Sequence, residues 1–177
     1  MKALNAAFVW LLTLPALANA NLITNGSFEN PVVNDQYQTI FAGDTFGGWT
    51  VSQGSVDLAF GIWNAADGRQ SVDMVGTPGV GIIFQDIQTQ VGQAYNLSFA
   101  VAPTPLAFTY QLRAIWGSVE LPTIIRTGVT QNPPAPYAIS YEYLNFMNLV
   151  ATSNVTRLEF QSINAPTQFQ GMISCPQ

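Results

Sequence analysis

The chain contains no histidine, a single cysteine and, beyond Lys2, no lysine. Each absence removes a class of chemistry. Without histidine there is no Ser-His-Asp or Cys-His catalytic arrangement and no histidine-ligated zinc or copper site. Without lysine past residue 2 there is no Schiff-base or Ser-Lys chemistry. The lone Cys175 allows no intrachain disulfide, so it is a free thiol or an intermolecular link. No glycine-rich loop has the spacing of a phosphate or dinucleotide cradle. Charge is scarce as well: Asp, Glu, Lys and Arg make up 8% of the residues. Past residue 20, Arg69, Arg113, Arg126 and Arg157 stand against ten carboxylates, four minus ten, a net charge of −6. That balance supplies no basic patch, which argues against nucleic acid, anionic membranes and acidic polysaccharide as partners. Any active site would have to be built from carboxylates, tyrosines or arginine.

What the chain does have begins with a leader. "MKALNAAFVWLLTLPALANA" (1–20) joins a short positive start to an apolar run, and Ala18-Asn19-Ala20 has the small-x-small pattern of a signal-peptide cleavage site. The run is too short to span a bilayer, which takes about 20 apolar residues, and no later stretch is long enough either. The expectation is a secreted protein with no membrane span. Its mature part, residues 21–177, is 157 residues (177 minus 20), the size of one domain.

Beyond residue 20 the hydrophobic pattern has period two and almost no helical period. Tyr95, Leu97, Phe99 and Val101 alternate with polar residues in "AYNLSFAVA" (94–102), and "FTYQLRAIW" (108–116) and "VTRLEFQS" (155–162) alternate in the same way. Further strands are expected at 22–24, 37–41, 49–52, 55–59, 71–75, 81–87, 123–128 and 138–144. Turn signals such as Asn25-Gly26, Gly47-Gly48 and Asp67-Gly68 separate several of them. Many short, half-buried strands predict an all-β fold, an antiparallel β-sandwich or jelly roll. The Pro-rich "QNPPAP" (131–136) reads as a surface loop within one domain.

Two kinds of site are open to this composition. Paired carboxylates could hydrolyse a glycosidic bond if they sat about 5 to 9 Å apart across a cleft. Asp57 and Asp73 lie mid-strand between apolar neighbours, where a structural aspartate is the plainer reading. The second kind is a sugar-binding face of aromatic rings with a few polar groups. Trp49 and Trp116 fall in strand patterns and belong to the core. Trp63, in "FGIWNAADGRQ" beside Asp67 and Arg69, is the aromatic expected to be partly exposed. Tyr137 comes second, and Asp57 could add a hydrogen bond. Three glycosylation sequons occur, at Asn25, Asn96 and Asn154, with Asn154, on a polar turn, the best placed acceptor and Asn96 next.

Several blocks in order resemble the DUF642 family, which is related to bacterial choice-of-anchor C proteins. They are N-G-S-F-E (25–29), G-W-T-V (48–51) followed by G-S-V-D (54–57), W-x-x-A-D-G-x-Q-S-V-D (63–73) and Q-x-x-x-T-x-x-G-x-x-Y-x-L-S-F (85–99). The resemblance covers residues 21 to about 162. It implies a galactose-binding-like jelly roll in an extracellular or cell-wall setting, binding carbohydrate without catalysis. The partner it implies is a neutral polysaccharide or a cell-wall protein. It also implies that Phe28 plugs the core, that Asn25-Gly26 forms a packed turn and that Glu29 lies near a structural calcium site. The closing "FQGMISCPQ" has no acid to complete such a site, so no cofactor is expected. The short end suggests a rival reading: a final strand that leaves a sheet edge unpaired, inviting self-association into an extracellular structural subunit by strand addition.

Overall fold

A computed structural model describes residues 21–76, 79–105, 108–130, 136–163 and 172–174. The leader, Cys175 and all but the last residue of the Pro-rich loop lie outside them. Thirteen strands and no helix are present among the described residues. In chain order they are β1 (Tyr37–Phe41), β2 (Thr45–Phe46), β3 (Trp49–Gln53), β4 (Ser55–Phe60), β5 (Gln70–Asp73), β6 (Ile82–Gln88) and β7 (Ala94–Ala102). There follow β8 (Thr109–Trp116), β9 (Val119–Glu120), β10 (Ile124–Thr127), β11 (Glu142–Val150), β12 (Val155–Ser162) and β13 (Met172–Ser174). Every ladder between them is antiparallel. Sheet A runs β1-β4-β5-β13-β7-β11, and sheet B runs β10-β8-β12-β6-β3-β2 with β9 paired to β8. The expected antiparallel β-sandwich is the fold.

Alternation drives this arrangement. Along β12, Thr156, Leu158, Phe160 and Ser162 are buried while Val155 and Arg157 are exposed. Between the sheets a chain of rings runs Phe46–Phe28–Trp49–Phe160–Phe99–Phe146, with centroids 4.9 to 6.2 Å apart. Such tilted, edge-on and stacked pairs each add about 0.5–1.5 kcal/mol beyond the area they bury. Phe28, between Phe46 and Trp49 in this chain, is fully buried, the plug expected of it.

Side-chain amides replace ladder partners where the chain leaves its strands. Residues 22–24, expected as a strand, are not one: the Gln85 side chain accepts from Thr24 N–H (2.7 Å) and donates to Thr24 O (2.9 Å). Likewise 138–141 stays outside β11, because the Asn64 amide accepts from Ile139 N–H (2.7 Å) and donates to Ile139 O (3.1 Å). Asn25 holds Asn30 by the same two-point grip, at 2.7 and 3.0 Å. Gly47 must be glycine there, since at φ +52° an added Cβ would lie 2.0 Å from Asn25 Nδ2. Gln70, 2% exposed, donates to Phe28 O (2.6 Å) and Pro31 O (2.9 Å) and accepts from Val33 N–H (2.7 Å).

The last strand corrects an expectation. β13 does not form an edge; it lies inside sheet A, with Ile173 opposite Val72 of β5 and Val101 of β7. Ile173 is an apolar residue with no exposed surface, and burying it against the core holds β13 between its neighbours. Among the described residues the end strands of sheet A are β1 and β11, and β11 is the longer.

Candidate functional site

The residues singled out from the sequence gather around the β4–β5 connection, though not all on one surface. In sheet A, Val56, Leu58 and Val72 point into the core, so Ser55, Asp57, Ala59, Ser71 and Asp73 point to the outer face. Onto that face fold residues 61–66 and 136–141. Tyr137 N–H donates to Ile62 O (2.8 Å) and Asn64 N–H donates to Tyr137 O (3.2 Å), which sets Trp63 beside Tyr137 in a parallel bridge. Trp63 Nε1–H donates to Ser71 Oγ (2.9 Å), and its ring packs with Tyr141 against Ala102 and Ile139. Trp63 and Tyr137 are both half-buried, the Trp63 indole held by Ser71 and Tyr137 held through its backbone. The Tyr141 hydroxyl is buried beside Ser71 without a hydrogen bond of full geometry, and burial pushes its pKa up to about 12. Tyr143, 55% exposed, donates to Ala66 O (3.3 Å) and props the same connection.

The other expected residues diverge from this pair. Asp67 is exposed on the turn, as is Arg69. The Arg69 guanidinium lies 4.8 Å over the Phe60 ring, and Phe60 packs on the inter-sheet core, so the cation sits at the mouth of the sandwich. Asp57 is not on the Trp63 surface at all. It is 6% exposed, accepts from the Thr39 hydroxyl (2.6 Å) and stands opposite Asp73 across the β4–β5 ladder. Burial raises its carboxyl pKa, partly offset by the Thr39 bond. Asp73 is 1% exposed and accepts from Val75 N–H (3.0 Å). Two buried carboxylates facing each other on neighbouring strands do not flank a cleft that could hold a sugar between them.

Glu29 caps the turn before β5. Its Oε1 accepts from both Arg69 N–H and Gln70 N–H (2.8 Å each). Gly68, at φ +69°, is pressed so close that a Cβ would lie 2.5 Å from that oxygen. No group of three or more acidic, histidine or cysteine side chains converges among the described residues. A calcium ion takes six to eight oxygens, and of the Glu29 carboxylate one oxygen, Oε1, already accepts from two backbone amides. Asn96 and Asn154 are both exposed, and Asn96 Oδ1 accepts from Asn148 N–H (3.2 Å).

Sequence reasoning passed over Phe41, whose exposure follows from β1 being an edge strand. β1 alternates like a half-buried strand, and nothing local shows that its outer face is bare. The signal lay in Tyr37 and Phe41 sharing the polar side of "YQTIF" with Thr39.

This is an antiparallel β-sandwich with aromatic side chains spared from its core. The model of the family described as "Protein of unknown function (DUF642)" matches residues 21–169, and the chain belongs to that family. It is 36% identical over 85 residues to halomucin of Haloquadratum walsbyi, a match covering 45% of this chain and 1% of halomucin. Among solved structures it is similar to TmCBM61 in complex with β-1,4-galactotriose, at 12% identity and a TM-score of 0.48, covering 88% of this chain and 95% of that one. It is also similar to the Stig cyclase Fisc from Fischerella sp. TAU, at 15% identity and a TM-score of 0.52, covering 86% and 92%. At these identities the likeness is one of fold.

Proposed function

We propose that the protein is a secreted, non-catalytic carbohydrate-binding module of an extracellular matrix or cell wall. Residues 1–20 are its signal peptide and residues 21–177 its single domain. Its partner is neutral polysaccharide, alone or with cell-wall protein. The observation that carries the reading is the Trp63–Tyr137 pair: two half-buried aromatic residues joined at their backbones, on a sheet whose strands contain no Arg or Lys. Such rings present flat faces to the C–H faces of a pyranose, and nearby amides and hydroxyls orient it. Asp67 and Tyr143 border the patch, while Arg69 and Asp57 act on the fold. Asn154 and Asn96 are its glycan acceptors in a host that glycosylates secreted chains.

The test is retention of residues 21–177 on a panel of insoluble neutral polysaccharides, with Trp63→Ala alongside and thermal melting as the folding control. Saturable retention, several-fold weaker in the variant, is expected; equal retention by a folded Trp63→Ala protein removes the assignment. No reducing sugar should be released. The rival reading, self-association by strand addition, would use β11, where Met147 and Val150 are 61% and 49% exposed. That edge is blunted by a register shift between Phe146 and Leu149 and by Asn148 at φ +59°. Growing light scattering in a pure sample that retains no polysaccharide would favour it.

A further inference from the structure

A second pair of rings lies on the same face, on its edge strand β1. Phe60 N–H donates to Gln36 O (2.8 Å) and Ala42 N–H donates to Gly54 O (2.9 Å), so the even-numbered residues of β1 bond to β4. Tyr37, Thr39 and Phe41 therefore turn their backbone groups away from β4, along the free edge, where Phe41 O is taken by Asp44 N–H (3.0 Å). These same three residues sit opposite Ala59, Asp57 and Ser55, which places their side chains on the outer face. Tyr37 is 52% exposed and Phe41 50%, and neither belongs to the core. They are four residue steps apart along the strand, about 13 Å. Thr39, midway, spends its hydroxyl proton on Asp57 Oδ1 (2.6 Å), which leaves its oxygen lone pairs as acceptors facing out. On the core side of the same edge lies a groove of about 370 Å³ lined by Gln38, Thr39, Ile40, Asp44, Thr45 and Phe46 among others, but by neither Tyr37 nor Phe41.

We propose that the free edge of β1 is a second glycan subsite, in which a linear neutral polysaccharide lies along the strand with two non-adjacent sugar rings stacked on Tyr37 and Phe41. Its hydroxyls meet Thr39 and the outward backbone groups of Tyr37 and Thr39. The inference rests on the carbohydrate-binding reading and adds a length rule. A disaccharide is too short to cover both rings, so affinity gained at this edge appears only with longer chains. Charge again selects a neutral ligand: no cation lines the groove, and Asp44 would repel an acidic chain.

The experiment is titration calorimetry of residues 21–177 with cellohexaose and β-1,4-galactohexaose and with the disaccharide of each. Wild type is compared with Tyr37→Ala/Phe41→Ala and with Trp63→Ala. Both edge rings are half exposed, so the double variant should melt with wild type. It should bind the favoured hexasaccharide about tenfold more weakly and its disaccharide within about twofold of wild type. Thr39→Val should weaken the hexasaccharide alone, by a smaller factor. A double variant that binds the hexasaccharide like wild type, while Trp63→Ala does not, overturns the edge subsite and spares the primary site. Wild type that binds neither hexasaccharide overturns both. Light scattering that grows in wild type and vanishes in the double variant makes the edge a strand-addition surface and also overturns the proposal.

Discussion

The outer faces of the two sheets are built from the same charge-poor chain and treat their polar groups in opposite ways. On sheet B every arginine is spent. Arg157 holds Asp86 with two hydrogen bonds (2.8 and 2.9 Å) and lies 3.6 Å over the Phe84 ring, and Arg113 meets Glu120 at 3.5 Å. Arg126 reaches from β10 to Glu142 on β11 and ties the two sheets together at one edge. The strands of sheet A carry no Arg or Lys; their outer face is made of small residues, hydroxyls, two buried aspartates and aromatic rings that the core leaves out. Ion pairs close one face against partners. The neutral face keeps stacking surfaces and acceptors open to one.

The contrast sets an order of effects. The largest belongs to the amides that serve as ladder partners in and around sheet A. Gln70→Leu keeps the volume but strands Val33 N–H and the carbonyls of Phe28 and Pro31 in a buried place. The expected loss is about 2–4 kcal/mol, read by urea denaturation; a loss below about 0.5 kcal/mol would show that water or neighbours replace the amide.

Asp57 comes next, through pH. Its folded pKa lies above the ordinary 3.8 because burial disfavours the charged form. The stability linked to it is therefore full below 3.8 and lost as pH rises through the raised value. Thr39 donates to it, which lowers the value in part, and Asp73 stands opposite it across the ladder. Asp86 and Glu142 are shifted the other way by their arginines, so what they contribute is lost as pH falls through their lowered values, and both are too exposed for a large effect. Melting temperature should decline from acid toward neutral pH in wild type, and Asp57→Asn should flatten that decline. A variant with an unchanged slope would place the titration elsewhere.

The smallest effect belongs to sheet B. Arg157→Ala removes an exposed ion pair and a cation–π contact, worth about 1 kcal/mol or less in a chemical melt and weaker still in high salt. Polysaccharide retention should not change. Lost retention here would break the division between the faces.

How far this was legible follows from where each signal resides. β7 and β12 could be read to the residue, because alternation over eight or nine positions outweighs local noise. β2, β9 and β13 have two or three residues each, too few to show a period. The strand expected at 22–24 failed because its partner is the Gln85 side chain, 61 residues away, and the one at 138–144 began late because Asn64 holds Ile139. At the site, Trp63 and Tyr137 could be named but not their contact. Arg69 was grouped with Trp63 by closeness in sequence, yet it turns to Phe60 because an aromatic face at the mouth of the sandwich offers it a cation–π contact. Phe41 was out of reach, since its exposure depends on which strand ends the sheet.

The most direct test of the account is retention on one neutral polysaccharide by three proteins: wild type, a sheet A variant carrying Tyr37→Ala, Phe41→Ala and Trp63→Ala, and a sheet B variant carrying Arg157→Ala and Arg113→Ala. Folding is checked by melting in each. The account predicts that the sheet A variant loses retention while the sheet B variant keeps it. Equal retention by a folded sheet A variant, or loss confined to the sheet B variant, would contradict it.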